Sequence, residues 1–250
     1  MLKAVLFDLD NTLIHFDEVD FFRAYIPRIS TAFPDIMPPE KLVERLLLST
    51  QALVKNDGQI SNAEHFLNSF SQGYEEYREE IWERFIRFYE TEFDQLRALI
   101  SVPPGVREVF VRLREAGLKA VIASNPIWPQ LVQMKRLSWA GLGDWSFDLV
   151  TGIENMSYCK PRIEYYQEIC QKIAEKPDVC LMVGNDPVND LVVAETGMKT
   201  FLVTDGSKSD GPELALGESI RNDAAAGPIA PDFRGPLSDV PDAVDALLRG

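Results

Sequence analysis

The sequence predicts a doubly wound α/β fold, a parallel sheet with helices on both faces, interrupted near its start by a run of helices. Three observations predict it. Short, continuous apolar runs of strand length recur along the chain, and continuous rather than alternating apolarity is the mark of a strand buried on both faces. Amphipathic segments with helix start and stop signals lie between those runs. Acidic, hydroxyl and basic side chains follow directly on the ends of the runs, where a fold of this class forms its ligand crevice.

The first run, Ala4 to Phe7, leads straight into Asp8-Leu9-Asp10-Asn11-Thr12-Leu13. From about Asp17 to Val102 no convincing strand occurs, and the stretch reads as an inserted set of helices. Within it, Ser61 and Glu64 are spaced as a capping box, each side chain answering an otherwise unpaired backbone donor. Residues 74–96 carry Tyr74, Tyr77, Ile81, Phe85, Phe88 and Tyr89 on one stripe, which predicts a core-facing helix. Pro103, Pro104 and Gly105 mark the return to the strand and helix rhythm.

A helix follows with Val106, Val109, Phe110 and Leu113 on one face, stopped by Gly117. The later strands are expected at Ala120 to Ala123, Leu149 to Val150, Val179 to Val183 and Thr200 to Val203. Pro126 suits the first position of a helix after the second strand, and Pro161 the first position of a helix bearing Tyr166, Ile169, Cys170 and Ile173. Gly206 to Gly235 is rich in Gly, Pro, Ser, Asp and Ala, and its early part reads as an exposed loop with one short helix at Leu214 to Ile220. Asp242 to Leu248 reads as a terminal helix. No internal repeat or heptad pattern occurs.

Composition narrows the function. The 250 residues are 46% apolar and 26% charged, enough for a buried core, and exclude collagen, a disordered tail and a disulfide miniprotein. Lys and Arg number 25 against 39 Asp and Glu, a net charge of −14, which argues against a general affinity for nucleic acid or an anionic membrane. Cys159, Cys170 and Cys180 have neither CxxC spacing nor a nearby histidine, so idle buried thiols are expected rather than a disulfide framework or a zinc site. The first apolar stretch is cut at once by Asp8 and Asp10, too short for a secretory signal or for the roughly 20 residues of a membrane span. A soluble cytoplasmic protein, monomeric or homodimeric, is expected.

Four motifs carry the chemistry. Asp8 and Asp10, at i and i+2 beyond a strand end, converge on one phosphate or metal, although such a pair taken alone reads equally as a solvated turn. Ser124-Asn125 ends the second strand, where a hydroxyl and backbone N–H groups at a helix start form an anion site; a plain N-cap is the simpler alternative. Lys160-Pro161 places a cation at a helix start, where the dipole disfavours it unless an anion is present. Gly184-Asn185-Asp186-Pro187-Val188-Asn189-Asp190 adds two acids at i and i+4, oxygen ligands for a hard cation such as Mg²⁺.

As a set, these motifs in this order resemble those of haloacid dehalogenase superfamily phosphatases. The resemblance covers residues 1–15 and 104–205, and the insert directly after the first motif resembles the helical C1 cap of that superfamily. It implies a Rossmann-like core of residues 1–15 and 104–250, with a cap of residues 16–103. It also implies roles. Asp8 would be the nucleophile that becomes an aspartyl phosphate, and Asp10 the acid that protonates the leaving oxygen and then activates water. Mg²⁺ would be held by the Asp8 carboxylate, the Asp10 backbone carbonyl and an acid of the fourth motif. Ser124, Asn125 and Lys160 would bind the phosphoryl oxygens, with Thr12, Asn185 and Asp190 in support.

One departure stands out. The superfamily commonly has an acid directly after the fourth motif's glycine, and this chain has Asn185 there and Asp186 next; spacing to Asp190 favours Asp186 as ligand, with the Asn185 carbonyl oxygen as the alternative. Asp10 separates this chain from the dehalogenases of the superfamily. Neither Lys41 nor Lys55 sits in a motif that would make it a phosphonatase lysine, while a mutase of the β-phosphoglucomutase type shares the same core. The expectation is therefore a Mg²⁺-dependent phosphatase of a small phosphorylated metabolite. The alternatives are that mutase and a non-catalytic binding protein with the same fold. His15, Arg23, Arg28 and Arg45 carry equally a substrate contact or an ordinary surface role, His65 reads as a helix-surface residue, and Trp128 with Pro129 reads as packing before pocket wall.

Overall fold

The structure, a computed structural model, describes residues 1–206 and 229–249. Six parallel strands form its sheet: β1 (Ala4–Phe7), β2 (Lys119–Ile122), β3 (Leu149–Val150), β4 (Cys180–Gly184), β5 (Lys199–Val203) and β6 (Phe233–Gly235). Their order is β3-β2-β1-β4-β5-β6, so the chain runs outward in one direction through β2 and β3 and in the other through β4 to β6. The strand order reverses between β1 and β4, and such a switch point opens a crevice at the carboxyl ends of the strands. Phe7 of β1 lies in register with both Ile122 and Val183, which places Asp8 beside the ends of β2 and β4.

The period-2 alternation of β1 sorts its side chains between two layers. Val5 and Phe7 face a core shared with Phe110 and Leu113 of α5 (Val106–Glu115) and Val240 and Val244 of α8 (Val240–Arg249). Ala4 and Leu6 face Tyr165, Tyr166 and Ile169 of α7 (Ile163–Lys172). The remaining core helix, α6 (Gln130–Trp139), follows β2.

Between β1 and α5 the chain forms α1 (Glu18–Ser30), α2 (Pro39–Val54), α3 (Asn62–Phe70) and α4 (Arg78–Thr91). Phe33, Phe66, Phe70 and Phe85 make their centre, with ring centroids between 4.8 and 6.2 Å apart. Trp128, from the loop after β2, inserts into their lower edge against Phe21, Tyr25, Tyr89 and Phe93. The two connections to the core run side by side, with the His15 and Ser101 backbones exchanging hydrogen bonds of 2.8 and 2.9 Å.

A third attachment lies at the start of α3. The Asn62 and Ala63 amides donate to the Met156 and Ile153 carbonyls, each at 2.8 Å. Asn62 Nδ2 donates to the Tyr158 carbonyl at 3.3 Å, and Arg162 Nη1 to the Asn56 carbonyl at 2.9 Å. Gly58 closes this junction at φ +87°, where a Cβ would sit 2.1 Å from the Tyr158 ring, so only glycine fits the turn.

Several expectations change. The helix expected from Pro126 begins at Gln130 behind Pro129, and the helix expected from Pro161 begins at Ile163 behind Arg162; in each case the later position has the extended backbone of a helix entrance. The 74–96 stripe is broken into a 3₁₀ turn, α4 and a second 3₁₀ segment, which leaves Tyr77 exposed. Ser61 caps α3 through Glu64 N at 3.2 Å, but the Glu64 carboxylate turns to Arg78 at 2.6 Å. β6 is a strand that the sequence did not announce, at the late end of that Gly- and Pro-rich stretch, and the Leu214 to Ile220 helix lies outside the described residues. All three cysteines are buried free thiols. Among the described residues no helix is long and apolar enough to cross a membrane.

Candidate active site

The carboxyl ends of β1 and β4 open into a cavity of about 180 Å³, walled on its far side by Phe16, Phe21, Phe22, Ile127 and Trp128. Asp8, the first residue beyond β1, is buried at its base; its amide donates to the Val183 carbonyl at 2.9 Å, which fixes the backbone. Lys160 Nζ donates to Asp8 Oδ1 at 2.7 Å and to Asp190 Oδ1 at 2.6 Å. Thr12 Oγ1 lies 3.3 Å from Asp8 Oδ2 and 3.2 Å from Asn185 Oδ1. One hydroxyl thereby ties the first motif to the fourth.

Lys160 is wholly buried. Burial alone pushes an ammonium down, yet the Asp190 and Asp8 carboxylates outweigh it and hold Lys160 well above the ordinary lysine range. Burial pushes Asp190 up to about 7 against the pull of Lys160, with the Asp8 and Asp186 charges adding to the rise. Asp190 reaches this position because Gly184 has no side chain: a Cβ there would lie 2.1 Å from Asp190 Oδ2. That same oxygen accepts the Asp186 amide at 3.0 Å.

The other expected residues divide. Asn125 lines the cavity, and its Oδ1 accepts the Lys160 amide at 3.2 Å. Ser124 is buried and is not among the lining residues; its carbonyl is pinned by Thr151 Oγ1 at 2.7 Å and by the Tyr165 hydroxyl at 2.8 Å. Because α6 begins at Gln130 and α7 at Ile163, neither Ser124-Asn125 nor Lys160 stands at a helix start, and no helix dipole acts on them as the sequence suggests. Asp186 lines the cavity, but Oδ1 accepts the Val188 and Asn189 amides and Oδ2 accepts Asn189 Nδ2 at 2.7 Å. Asn185, by contrast, is drawn toward Asp8 through Thr12.

Five carboxylates, Asp8, Asp10, Glu18, Asp186 and Asp190, line this cavity against two cations, Lys160 and Arg136. The excess of negative charge and the all-oxygen character of the donors suit a hard divalent cation. Among the described residues no three His, Cys, Asp or Glu side chains form a metal cluster.

The family model of haloacid dehalogenase-like hydrolases matches residues 2–196. The chain belongs to that family. Relatives of the hydrolase include pyrophosphatase PpaX of Bacillus cereus strain Q1, 28% identical over 204 residues that cover 81% of this chain and 83% of that protein. Among solved structures it resembles a predicted phosphoglycolate phosphatase from Haemophilus somnus (TM-score 0.55, 18% identity, 97% of this chain and 98% of that one). It equally resembles the L-2-haloacid dehalogenase of Xanthobacter autotrophicus (TM-score 0.56, 22% identity, 98% and 99%). At those identities the solved structures share the fold.

Among the charged cavity residues of the hydrolase, Glu18 and Arg136 escape the sequence analysis. Arg136 of α6 is buried, and its Nη2 pairs with Asp10 Oδ1. Burial pulls its pKa down to about 9, with the Asp8 charge opposing. A signal was available: Gln133 and Arg136 fall at i and i+3 on the stripe that also holds Val132 and Leu137, so two polar side chains occupy the apolar face of α6. The other weighed residues lie elsewhere. Trp128 lines the cavity, whereas Arg23 pairs with Asp20, Arg28 donates to the Ala24 carbonyl and Arg45 to the Ser69 carbonyl. Lys41 pairs with Glu44 and Lys55 is exposed, so neither supplies a cavity lysine. His15 is half-buried beside the cavity, its pKa lowered by burial against the Asp205 charge.

Proposed function

We propose that the protein is a Mg²⁺-dependent phosphatase that hydrolyses a small-metabolite phosphomonoester through an aspartyl-phosphate intermediate on Asp8, with residues 16–103 serving as its cap. The observation that carries this reading is the Asp8 carboxylate at the switch point, flanked by the buried Lys160 ammonium and opening on a small cavity roofed by aromatic side chains. The relatives named pyrophosphatase support phosphoryl chemistry, and the volume of about 180 Å³ suits a compact substrate.

In the first half-reaction an Asp8 oxygen forms a bond to phosphorus as the bond to the leaving oxygen breaks, and Asp10 delivers a proton to that oxygen. In the second, water forms a bond to phosphorus as the Asp8–phosphorus bond breaks, and Asp10 takes the water's proton. Lys160, kept charged by its two carboxylates, neutralises the phosphoryl oxygens as a point charge, with Asn125 beside it and Ser124 adjacent in the chain. The Asp8 carboxylate, the Asp10 backbone carbonyl and the Asn185 or Asp186 side chain would hold Mg²⁺. When bound, the ion offsets the repulsion between carboxylate and phosphate. Phe21, Phe22 and Trp128 limit water to the amount the second step needs.

Hydrolysis of p-nitrophenyl phosphate tests the reading, with Mg²⁺, with EDTA and with Asp8→Asn. Expected is Mg²⁺-dependent turnover that falls by about a thousandfold or more in the variant. Turnover retained by Asp8→Asn would exclude the covalent route.

A further inference from the structure

Asp10 begins the turn that leaves β1, and its side chain is 35% exposed at the cavity rim. The ion pair that meets its carboxylate comes from another part of the core. Arg136 is 2% exposed and presents Nη2 to Asp10 Oδ1, while Nη1 donates to Gln133 Oε1 at 3.1 Å and the guanidinium lies 5.6 Å from the Phe16 ring centroid. Gln133 is fully buried, and α6 is anchored by Val132, Leu137 and Trp139, the last stacked on Phe93 at 5.4 Å. A guanidinium taken this far out of water is tolerated only where its partners are held in place, and a planar fork braced on one nitrogen directs the other.

We infer that Arg136 is the positioning residue for Asp10, holding its carboxylate at the leaving-group side of the cavity throughout turnover. The inference rests on the phosphatase reading above. Arg136 forms and breaks no bond; the proton passes between Asp10 and the leaving oxygen in the first half-reaction and between water and Asp10 in the second. A misplaced acid harms a reaction in proportion to how much the leaving oxygen needs a proton. p-Nitrophenolate departs without one, whereas an alkoxide does not.

The test compares p-nitrophenyl phosphate with glycerol 2-phosphate in the wild type, Arg136→Ala, Arg136→Lys and Gln133→Leu, with Mg²⁺ present. Arg136→Ala should lower kcat on the alkyl ester by about 100-fold, the loss that follows from an ångström of misplacement, and by less than about tenfold on the aryl ester. KM should change little on either, and Arg136→Lys should recover part of the alkyl activity. Gln133→Leu, which keeps the volume and the arginine but removes the brace, should shift the ratio of the two rates in the same direction by about threefold or more. It decides the matter if Arg136→Ala does not fold. Equal losses on both esters in the variants would reduce Arg136 to a structural role and overturn the inference. A wild type inert toward both esters would overturn the phosphatase reading itself and the positioning role with it.

Discussion

Replacing Lys160 by methionine removes the charge from the most tightly coupled group in the core and should be felt first as lost stability. Its Nζ lies 2.7 Å from Asp8 and 2.6 Å from Asp190, so at an effective dielectric of about 20 each attraction is worth about 6 kcal/mol before desolvation. Burying the three charged groups offsets most of that, but deletion of one partner leaves carboxylates uncompensated, at a cost of about 3–5 kcal/mol. For a chain of 250 residues this corresponds to a Tm fall of about 6–20 °C. The sign with pH is defined. Without the lysine, the carboxyl of Asp190, already raised to about 7 by burial, rises further above its unfolded value. The native state then holds a proton that the unfolded state releases, and stability falls as pH rises from about 4 up through the raised native value above 7. Urea unfolding of Lys160→Met at pH 5 and pH 8 should therefore show the larger loss at pH 8. Adding Asp190→Asn should recover part of it without recovering turnover. A single variant that loses less than about 1 kcal/mol at pH 8, or a double variant no more stable than the single, would refute the account of a mutually neutralised cluster.

Two further outcomes are expected. In Mg²⁺ titrations of activity, Asn185→Ala should weaken apparent metal affinity more than Asp186→Ala does, because Thr12 draws the Asn185 oxygen toward Asp8 while both Asp186 oxygens are engaged in their own loop; the reverse order would return the ligand role to Asp186. Gly58→Ala should destabilise by about 2–4 kcal/mol through its φ of +87° and the Tyr158 clash and speed amide exchange at Asn62 and Ala63, and wild-type melting with unchanged exchange would rule out that junction as a constraint.

Much of the fold was legible because buried parallel strands carry their own signature. Val5 and Phe7 face one layer and Ala4 and Leu6 the other, and a run apolar on both faces can hardly be anything else. β6 gave no such signal: Phe233–Gly235 is only partly buried at a sheet edge and holds a charged Arg234. One helix start was misplaced where two prolines competed, since Pro126 and Pro129 both suit a helix entrance and only packing selects the second. Asp8 and Asp190 could be picked out in the turns that follow β1 and β4, and Lys160 only by a helix start that the structure places later, at Ile163; the β1 and β4 register brings the two carboxylates together, and Lys160 reaches them from the loop before α7. Arg136 escaped because an arginine on a helix is ordinarily a surface residue, and its burial depends on Asp10, which lies far from it in sequence.

The attachment of α3 to the loop that carries Tyr158 bears on how a substrate arrives. Helices joined to a core by two adjacent strands of chain, as at His15 and Ser101, have a natural hinge axis. Here the far end of that arm is also bound, by four hydrogen bonds from Asn62, Ala63 and Arg162. At about 1 kcal/mol apiece, a full swing costs about 4 kcal/mol and leaves on the order of one molecule in a thousand wide open at any moment. On the function proposed above, the entrance would be a doorway of nearly constant size, with Phe21, Phe22 and Trp128 at its threshold meeting a substrate by bulk before any chemistry begins.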